Sequence, residues 1–320
     1  MSERVLLTRR MPATAAETLN AAGLTADVLD TDETPPREEI VERARGCVGL
    51  ITMLSDCVDA ELLDAAGPAL KIVANYAVGF DNVDVDACKQ RGIRVSNTPG
   101  VLTEATADLA WSLILAAARN VAEGDRVVRS GKWPGWAPVQ LLGLELSGAT
   151  LGILGAGRIG SAVARRSVGF RMRVMYADID ANEQLERELG ARRVELDRLI
   201  AESDVLSLHV PMTPDVHHLI GAAEFEAMKP TAVLVNTSRG PVVDEAALVE
   251  ALRSGRIAAA GLDVYENEPR LKPGLTELAN VVLLPHLGSA TTTTRSKMAT
   301  MATENVVAVI SGRQPPNAVV

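Results

Sequence analysis

Side chains suited to acid–base or anion chemistry follow three apolar segments that are typical of buried strands. They are, in chain order, Arg239, then Glu266 and Glu268, and finally His286. Ligands of an open parallel sheet bind beyond the carboxyl ends of its strands, so these residues are predicted to share one edge. The arginine fork suits a carboxylate, and histidine suits proton transfer near neutral pH. A nearby glutamate favours the protonated ring and fixes its orientation, so the set fits reduction of a 2-keto acid.

A hydride source for that reaction is predicted from the segment TLGILGAGRIG. The strand Thr150–Leu154 runs into Gly155, Gly157 and Gly160, and an apolar helical pattern follows. The three glycines suit, in turn, a tight turn, close approach of a pyrophosphate and close packing of the helix on the sheet. Asp178 ends the next strand, about 20 residues further on, where an adenosine ribose needs an acceptor. The pattern predicts a dinucleotide-binding site.

The coenzyme predicted from Asp178 is NAD, used as NADH for reduction, and NADP is disfavoured. A carboxylate at this position accepts from both ribose hydroxyls and repels a 2′-phosphate. Ile179 and the next two residues include no arginine. Only a cation reaching in from elsewhere, for which we name Arg158, Arg171 and Arg173, would overturn this preference.

Alternating strand and helix patterns predict two doubly wound α/β domains with parallel sheets. The first hundred residues contain five predicted strands: Val5–Thr8, Val28–Leu29, Val48–Thr52, Lys71–Ala74 and Ile93–Val95. A larger unit has six: Thr150–Leu154, Arg173–Tyr176, Val205–Val210, Thr231–Asn236, Ile257–Asp263 and Val281–Pro285. The final segment, Thr291 to Ile310, is predicted to be a helix that crosses back to the first domain.

Composition narrows the classes of partner. A formal charge of −9 argues against nucleic acid and anionic membrane surfaces. The three cysteines are odd in number and lack metal-type spacing, which indicates reduced thiols in a cytoplasm. We expect a soluble cytoplasmic protein whose ligand is a small molecule.

Two stretches suggest contacts beyond a single domain. Thr103–Asn120 is a helix that is apolar on nearly every side, as expected for a bridge between domains or a subunit contact. Trp133 and Trp136 lie in an irregular segment, which predicts a homodimer interface. The alternative is a loop folded onto its own domain.

The other histidines carry weaker signals. His209 lies within a predicted strand and is interpreted as structural. His217 and His218 follow a turn, but no cysteine or carboxylate stands at a plausible ligand spacing, so no metal site is predicted.

Over essentially its whole length the sequence resembles the D-isomer-specific 2-hydroxyacid dehydrogenases, most closely the glyoxylate/hydroxypyruvate reductase branch. Besides the glycine loop, the resemblance is carried by ANYAVGFDNVDVDA (74–87), NTPGVLTEATADLAW (97–111), VNTSRGPVVDEAAL (235–248), GLDVYENEP (261–269) and LPHLGSA (284–290). It implies a flavodoxin-like substrate-binding domain, residues 1–99 and 289–320, that closes by a hinge over a Rossmann coenzyme domain, residues 100–288.

The resemblance also implies the roles of site residues. Arg239 grips the substrate, His286 is the acid/base, and Glu268, directly before the proline, orients and charges it. The implied substrate contacts are Met53, Leu54, Ser55, Val78, Gly79, Arg239 and Trp136, the last reaching the partner's pocket. The predicted coenzyme contacts are Thr106, Gly155, Gly157, Arg158, Ile159, Gly160, Asp178, Val210, Pro211, Thr237, Asp263 and Gly288.

Departures from relatives narrow the activity. Formate dehydrogenases pair the histidine with glutamine, where this chain has Glu268, and phosphite dehydrogenases carry lysine at Val78. Because the sequence ends at Val320, we expect no regulatory domain of the kind that many phosphoglycerate dehydrogenases carry. We predict an NADH-dependent reductase of glyoxylate or hydroxypyruvate. The alternatives are another 2-hydroxy acid, such as D-lactate or 3-phosphoglycerate, and a noncatalytic NAD(H)-sensing protein of the corepressor type.

Overall fold

The computed structural model of the protein describes residues 3–320, which divide into two compact units. One consists of the described residues up to Leu102 together with Ser289–Val320, and the other of Thr103–Gly288. None of the described helices is long and apolar enough to cross a bilayer.

The first unit has a parallel sheet of five strands among the described residues, in the order β2-β1-β3-β4-β5. The strands are β1 Arg4–Leu7, β2 Thr25–Val28, β3 Gly49–Thr52, β4 Ile72–Asn75 and β5 Arg94–Ser96. The helices are α1 Thr14–Ala21, α2 Arg37–Ala44, α3 Ala60–Ala66, α4 Val85–Gln90 and, at the end of the chain, α12 Thr292–Ile310. The central strands are buried on both faces, which explains their unbroken apolar sequences.

The helix α12 belongs to this first unit and packs against α1 and β4. It begins where the Thr291 hydroxyl accepts a hydrogen bond from the Thr294 amide at 3.1 Å, an N-cap that fixes its start. The strand that differs most from its prediction is β2, which begins at Thr25 and shares only Val28 with the predicted Val28–Leu29. It is an edge strand and only partly buried, so its apolar signal is weak.

The second unit has a parallel sheet in the order β12-β11-β10-β9-β6-β7-β8. Its strands are β6 Thr150–Leu154, β7 Arg173–Ala177, β8 Arg192–Arg193, β9 Val205–Leu208, β10 Val233–Asn236, β11 Ala259–Leu262 and β12 Val281–Leu283. Its helices are α5 Thr103–Ala118, α6 Val121–Arg129, α7 Arg158–Arg166, α8 Glu183–Leu189, α9 Leu196–Glu202, α10 Ala222–Ala227 and α11 Glu245–Arg253. Separate hydrophobic clusters cover the sheet, one built largely from α5 and α7 and the other from α9, α10 and α11.

Both strand orders are those of doubly wound folds, so the predicted fold class is confirmed. The prediction of six strands in the larger sheet was wrong by one. The seventh, Arg192–Arg193, is a two-residue edge strand without an apolar side chain, and therefore carries no hydrophobic signal. In the larger sheet the strand order reverses between β6 and β9, where this fold class binds dinucleotides.

Candidate active site

The histidine and glutamate predicted to act together are in contact. His286 Nδ1 lies 2.8 Å from Glu268 Oε2, and both side chains remain about a third exposed, at 35% and 37%. Burial alone would raise the pKa of the Glu268 carboxyl. The hydrogen bond and charge of His286, the Tyr265 amide and the charge of Arg239 outweigh it, and the pKa is lower than usual. The carboxylate therefore stays ionised beside the ring, and Nε2 is the ring nitrogen left for proton transfer.

A buried carboxylate fixes the main chain that follows His286. Asp263, 1% exposed at the end of β11, accepts the Leu287 amide at 2.6 Å and the Gly288 amide at 2.8 Å. Burial raises its pKa, and the two amides and the nearby His286 charge oppose that rise. The Thr106 hydroxyl donates to the Gly288 carbonyl at 3.1 Å, which brings together three of the residues predicted to contact the coenzyme.

Arg239 stands on a turn that begins at the end of β10. The Asn236 side-chain Nδ2 donates to the Arg239 carbonyl at 2.8 Å, and the Asn236 side-chain oxygen accepts from the Ser238 backbone amide and hydroxyl. Arg239 is half-buried, and its charge is one of the influences that lower the pKa of Glu268. The predicted catalytic arginine and glutamate are therefore close enough to interact electrostatically.

The segments that carry Arg239 and Glu268 are packed against each other. A Cβ at Gly240 would lie 1.8 Å from the Tyr265 carbonyl carbon, so only glycine allows this approach. Glu245, 3% exposed, accepts the Glu266 amide at 2.8 Å, and Glu266 accepts the Glu245 amide at 3.1 Å. These reciprocal bonds fix the chain just before Glu268.

The three glycines of the loop after β6 differ in what surrounds them. Gly155 has φ +91°, and a Cβ there would lie 2.7 Å from the His209 carbonyl carbon. A Cβ at Gly160 would lie 2.0 Å from the Gly155 oxygen. At Gly157, by contrast, a Cβ would meet no described atom within 4 Å, so the packing of this chain does not require glycine there.

Three further observations fit a dinucleotide at this edge. The Thr237 hydroxyl oxygen is buried without a hydrogen-bond partner among residues 3–320, so a ligand atom can satisfy it. At the start of α7, Arg158–Arg166, the N-cap Gly157 supplies no side-chain cap to the first amides. Asp178 accepts the Ala156 amide at 2.7 Å, which places its carboxylate against the glycine loop. Ile159 stands in the first turn of α7, and Val210 and Pro211 come just after β9.

The predicted substrate turns of the first unit follow the adjacent strands β3 and β4. They are held together by side chains beneath them. The side-chain Nδ2 of Asn82 donates to the Met53 carbonyl at 3.0 Å and to the Asp56 carbonyl at 2.9 Å. The side-chain Nδ2 of Asn75 donates to the Gly79 carbonyl at 2.8 Å and to the Asn82 side chain.

An ion pair anchors the first of these turns. Asp56, 2% exposed, accepts from the Met53 amide at 2.7 Å, from Arg9 at 3.1 Å and from the Thr8 hydroxyl. Arg9 also donates to the Ser55 hydroxyl at 2.7 Å. Leu54 lies between these anchors, and its neighbours Met53 and Ser55 are each fixed by a hydrogen bond.

The tryptophan segment is exposed in the single chain. Trp133 and Trp136 are 54% and 83% exposed, and the neighbouring Val139 and Leu142 are exposed at 77% and 71%. The helix before it, α5, buries much of its apolar surface within its own unit, on α7, β10 and β11.

His218 has carboxylate neighbours that its sequence spacing did not reveal. Its Nε2 lies 2.8 Å from Glu266, and Asp244 is within 4.8 Å of both. Asp244 caps α11 by accepting two backbone amides, and Glu266 accepts the Glu245 amide, so hydrogen bonds within the protein account for this cluster. His209 lies just beyond β9 rather than inside it. Burial lowers its pKa to about 3, consistent with a neutral structural ring.

Several residues that shape the site were missed from the sequence. Asn236 could have been noticed as a strand-end polar residue, as Asp263 was. Asp56, Asn82 and Glu245 bind main-chain atoms of distant segments and leave no local pattern.

Comparison with known proteins agrees with this geometry. Residues 111–288 match the family model of the D-isomer specific 2-hydroxyacid dehydrogenase NAD-binding domain. The chain is 50% identical to the glyoxylate reductase of Korarchaeum cryptofilum, over 100% of this chain and 96% of that protein.

Solved structures give the same relationship. The TT0316 protein of Thermus thermophilus superposes with a TM-score of 0.93 at 49% identity, over 99% of this chain and 100% of that one. The NADPH-dependent glyoxylate/hydroxypyruvate reductase of Sinorhizobium meliloti, solved with NADP and malonate, superposes with a TM-score of 0.88 at 35% identity. The match covers 100% of this chain and 97% of that one. The chain therefore belongs to the D-isomer-specific 2-hydroxyacid dehydrogenases, a family of oxidoreductases with an NAD-binding domain.

Proposed function

We propose that this protein reduces glyoxylate or hydroxypyruvate to the 2-hydroxy acid with NADH. The observation that carries the proposal is the contact of 2.8 Å between His286 and Glu268, beyond the strand ends of the NAD-binding sheet. Relatives about 50% identical over the full length are glyoxylate reductases, which supports the substrate class.

The proton chemistry follows from the residues of the pair. Bound coenzyme supplies the hydride for the reaction. Arg239 binds the substrate carboxylate through its planar fork and holds the carbonyl toward His286. His286 Nε2 donates its proton to the carbonyl oxygen as negative charge develops there, and the ring becomes neutral. Glu268, ionised because its pKa is lowered, stabilises the protonated ring before that transfer.

The decisive experiment is NADH oxidation on addition of glyoxylate, hydroxypyruvate, pyruvate and phenylpyruvate. We expect kcat/KM for glyoxylate or hydroxypyruvate to exceed kcat/KM for pyruvate and for phenylpyruvate. Tight NADH binding without turnover of any of the acids would contradict the reductase and favour an NAD(H)-sensing protein.

The coenzyme is proposed to lie along the glycine loop, with NAD(H) preferred over NADP(H) because of the Asp178 carboxylate. Gly157→Ala separates binding from folding. Its φ of −69° suits alanine and the added methyl group meets no described atom, so the melting temperature should be unchanged. The Kd for NADH should rise at least about tenfold, because the methyl group blocks close approach of the pyrophosphate. An unchanged Kd would show that the pyrophosphate lies elsewhere.

We also propose a homodimer in which the tryptophan segment is buried. Four large apolar side chains exposed within ten residues of sequence support it, since monomers rarely expose such patches. Sedimentation at micromolar concentration should show a dimer, and a monomer would refute the proposal. If Trp136→Ala leaves both the dimer and the activity unchanged, Trp136 has no role in the partner's substrate pocket, and the dimer proposal still stands.

A further inference from the structure

The strand β8, which was not predicted from the sequence, places a cation beside Asp178, the residue predicted to bind the adenosine ribose. Arg193 ends β8, which pairs with β7 through Tyr176. Its guanidinium donates to the Asp178 carbonyl at 2.9 Å and to the Ile179 carbonyl at 2.5 Å. Arg193 is exposed, and its Nη1 donates to no residue that the structure describes.

Two of the arginines named from the sequence are excluded by their positions. Arg171 donates to Ser147, and Arg173 donates to Thr150. Thr150 begins β6 and Arg173 begins β7, so both guanidinium groups lie at the amino ends of these strands. Asp178 follows the carboxyl end of β7. Arg158, the third one named, begins α7 beyond the carboxyl end of β6. Of the arginines considered, Arg193 is the one that donates to the Asp178 carbonyl.

We propose that Arg193 binds the 2′-phosphate of NADPH and makes the protein accept both coenzymes, with NADH still preferred. This rests on the proposed coenzyme site, because the ribose must lie beside Asp178. The charge of the guanidinium offsets the repulsion between the Asp178 carboxylate and a phosphate. Its unused N–H groups match phosphate oxygens, and charge-assisted bonds of this kind are strong.

The test is equilibrium binding to the purified apoprotein, without any reaction. NADH is compared with NADPH, and 5′-AMP with 2′,5′-ADP, because each pair differs by the one phosphate. The variants are Arg193→Ala, Arg193→Lys and the control Arg192→Ala. Arg192 is also exposed and lies on the same short strand, but its side chain leaves the opposite face of the sheet.

Arg193→Ala should raise the Kd for NADPH and 2′,5′-ADP about tenfold and change those for NADH and 5′-AMP less than about twofold. Lysine should restore part of the affinity, since it keeps the charge and loses the fork. Arg192→Ala should change none of the four Kd values by more than about twofold. The affinity of the wild type for 2′,5′-ADP should also fall more steeply with salt than that of Arg193→Ala.

Two results would overturn the proposal. An equal rise in all four Kd values would show that Arg193 only supports the 178–179 main chain. An unchanged Kd for 2′,5′-ADP would show that the phosphate does not meet it. If NADH itself fails to bind the wild-type protein, the proposed coenzyme site is wrong instead.

Discussion

The two units fix their predicted substrate-binding residues in the same way, by side chains bonded to the main chain, but differ in the groups that they present to the substrate. In the first, the buried Asp56 and the half-buried Asn82 fix the main chain of turns whose amides are predicted to meet the substrate. In the second, hydrogen bonds to Asn236 and Asp263 fix loops whose side chains, Arg239 and His286, are predicted to do the chemistry. Substitutions should therefore act on activity in the second unit and on the shape of the turns in the first.

The largest effect expected is that of Arg239→Ala. Removing a bidentate charged contact should lower kcat/KM by several hundredfold or more, equivalent to about 3–5 kcal/mol. Lysine should recover only part, because it offers a point charge. Steady-state kinetics with glyoxylate measures this, and a loss below about threefold would place the carboxylate anchor elsewhere.

Asp56→Ala tests the first unit. It leaves the 7%-exposed Arg9 without its partner and frees the Met53 amide, so the free energy of unfolding should fall by about 3–5 kcal/mol. The protein that remains folded should show a raised KM with a smaller change in kcat, since a turn is loosened and no reacting group is lost. Urea denaturation and kinetics measure the two effects.

Asp64→Ala is the matched control, because Asp64 pairs with Arg91 on the exposed surface of the same unit. Its urea midpoint should stay close to that of the wild type. Equal losses from both variants would mean that burial does not distinguish the Asp56 pair.

The difference between predicted action through side chains and predicted action through main-chain amides also explains what the sequence could predict. Arg239 and His286 are predicted to act through side chains that follow apolar strands, so residue type and position were enough to propose them. The central strands are equally readable, since burial on both faces requires unbroken apolar segments. The turns of the first unit are predicted to act through amides that every residue possesses, and only the resemblance pointed to Val78 and Gly79.

What the sequence missed depends on distant partners. Asn82 contacts the main chain at Met53, and the carboxylate neighbours of His218 come from two other segments. Arg193 reaches Asp178 because β8 pairs beside β7, yet two arginines in succession give no strand signal. Such contacts arise when the chain folds, so local spacing cannot encode them.

Glu268→Gln should change the pH dependence more than the maximal rate. The pKa of Glu268 is lowered, so its charge is present above the ordinary carboxyl range and is lost only as pH falls through that lowered value. Near neutral pH the glutamine variant thus lacks a charge that favours protonated His286. Reduction should therefore decline at a lower pH than in the wild type. Identical profiles of kcat/KM against pH would show that the pair is not coupled.

The smallest effect is expected at Val78, and it tests most directly whether the first unit acts through main-chain amides and the second through side chains. If this turn acts through its amides, truncating the side chain should leave the chemistry intact. Val78 is half-buried, and the Asn97 side chain holds its carbonyl at 2.8 Å whatever the side chain is. Val78→Ala should therefore change kcat/KM for glyoxylate less than about threefold, against the several hundredfold expected for Arg239→Ala. A proline at 78 removes the amide itself, and the activity should then fall steeply. A loss above about tenfold in the alanine variant would show that the first unit, too, recognises its ligand through side chains.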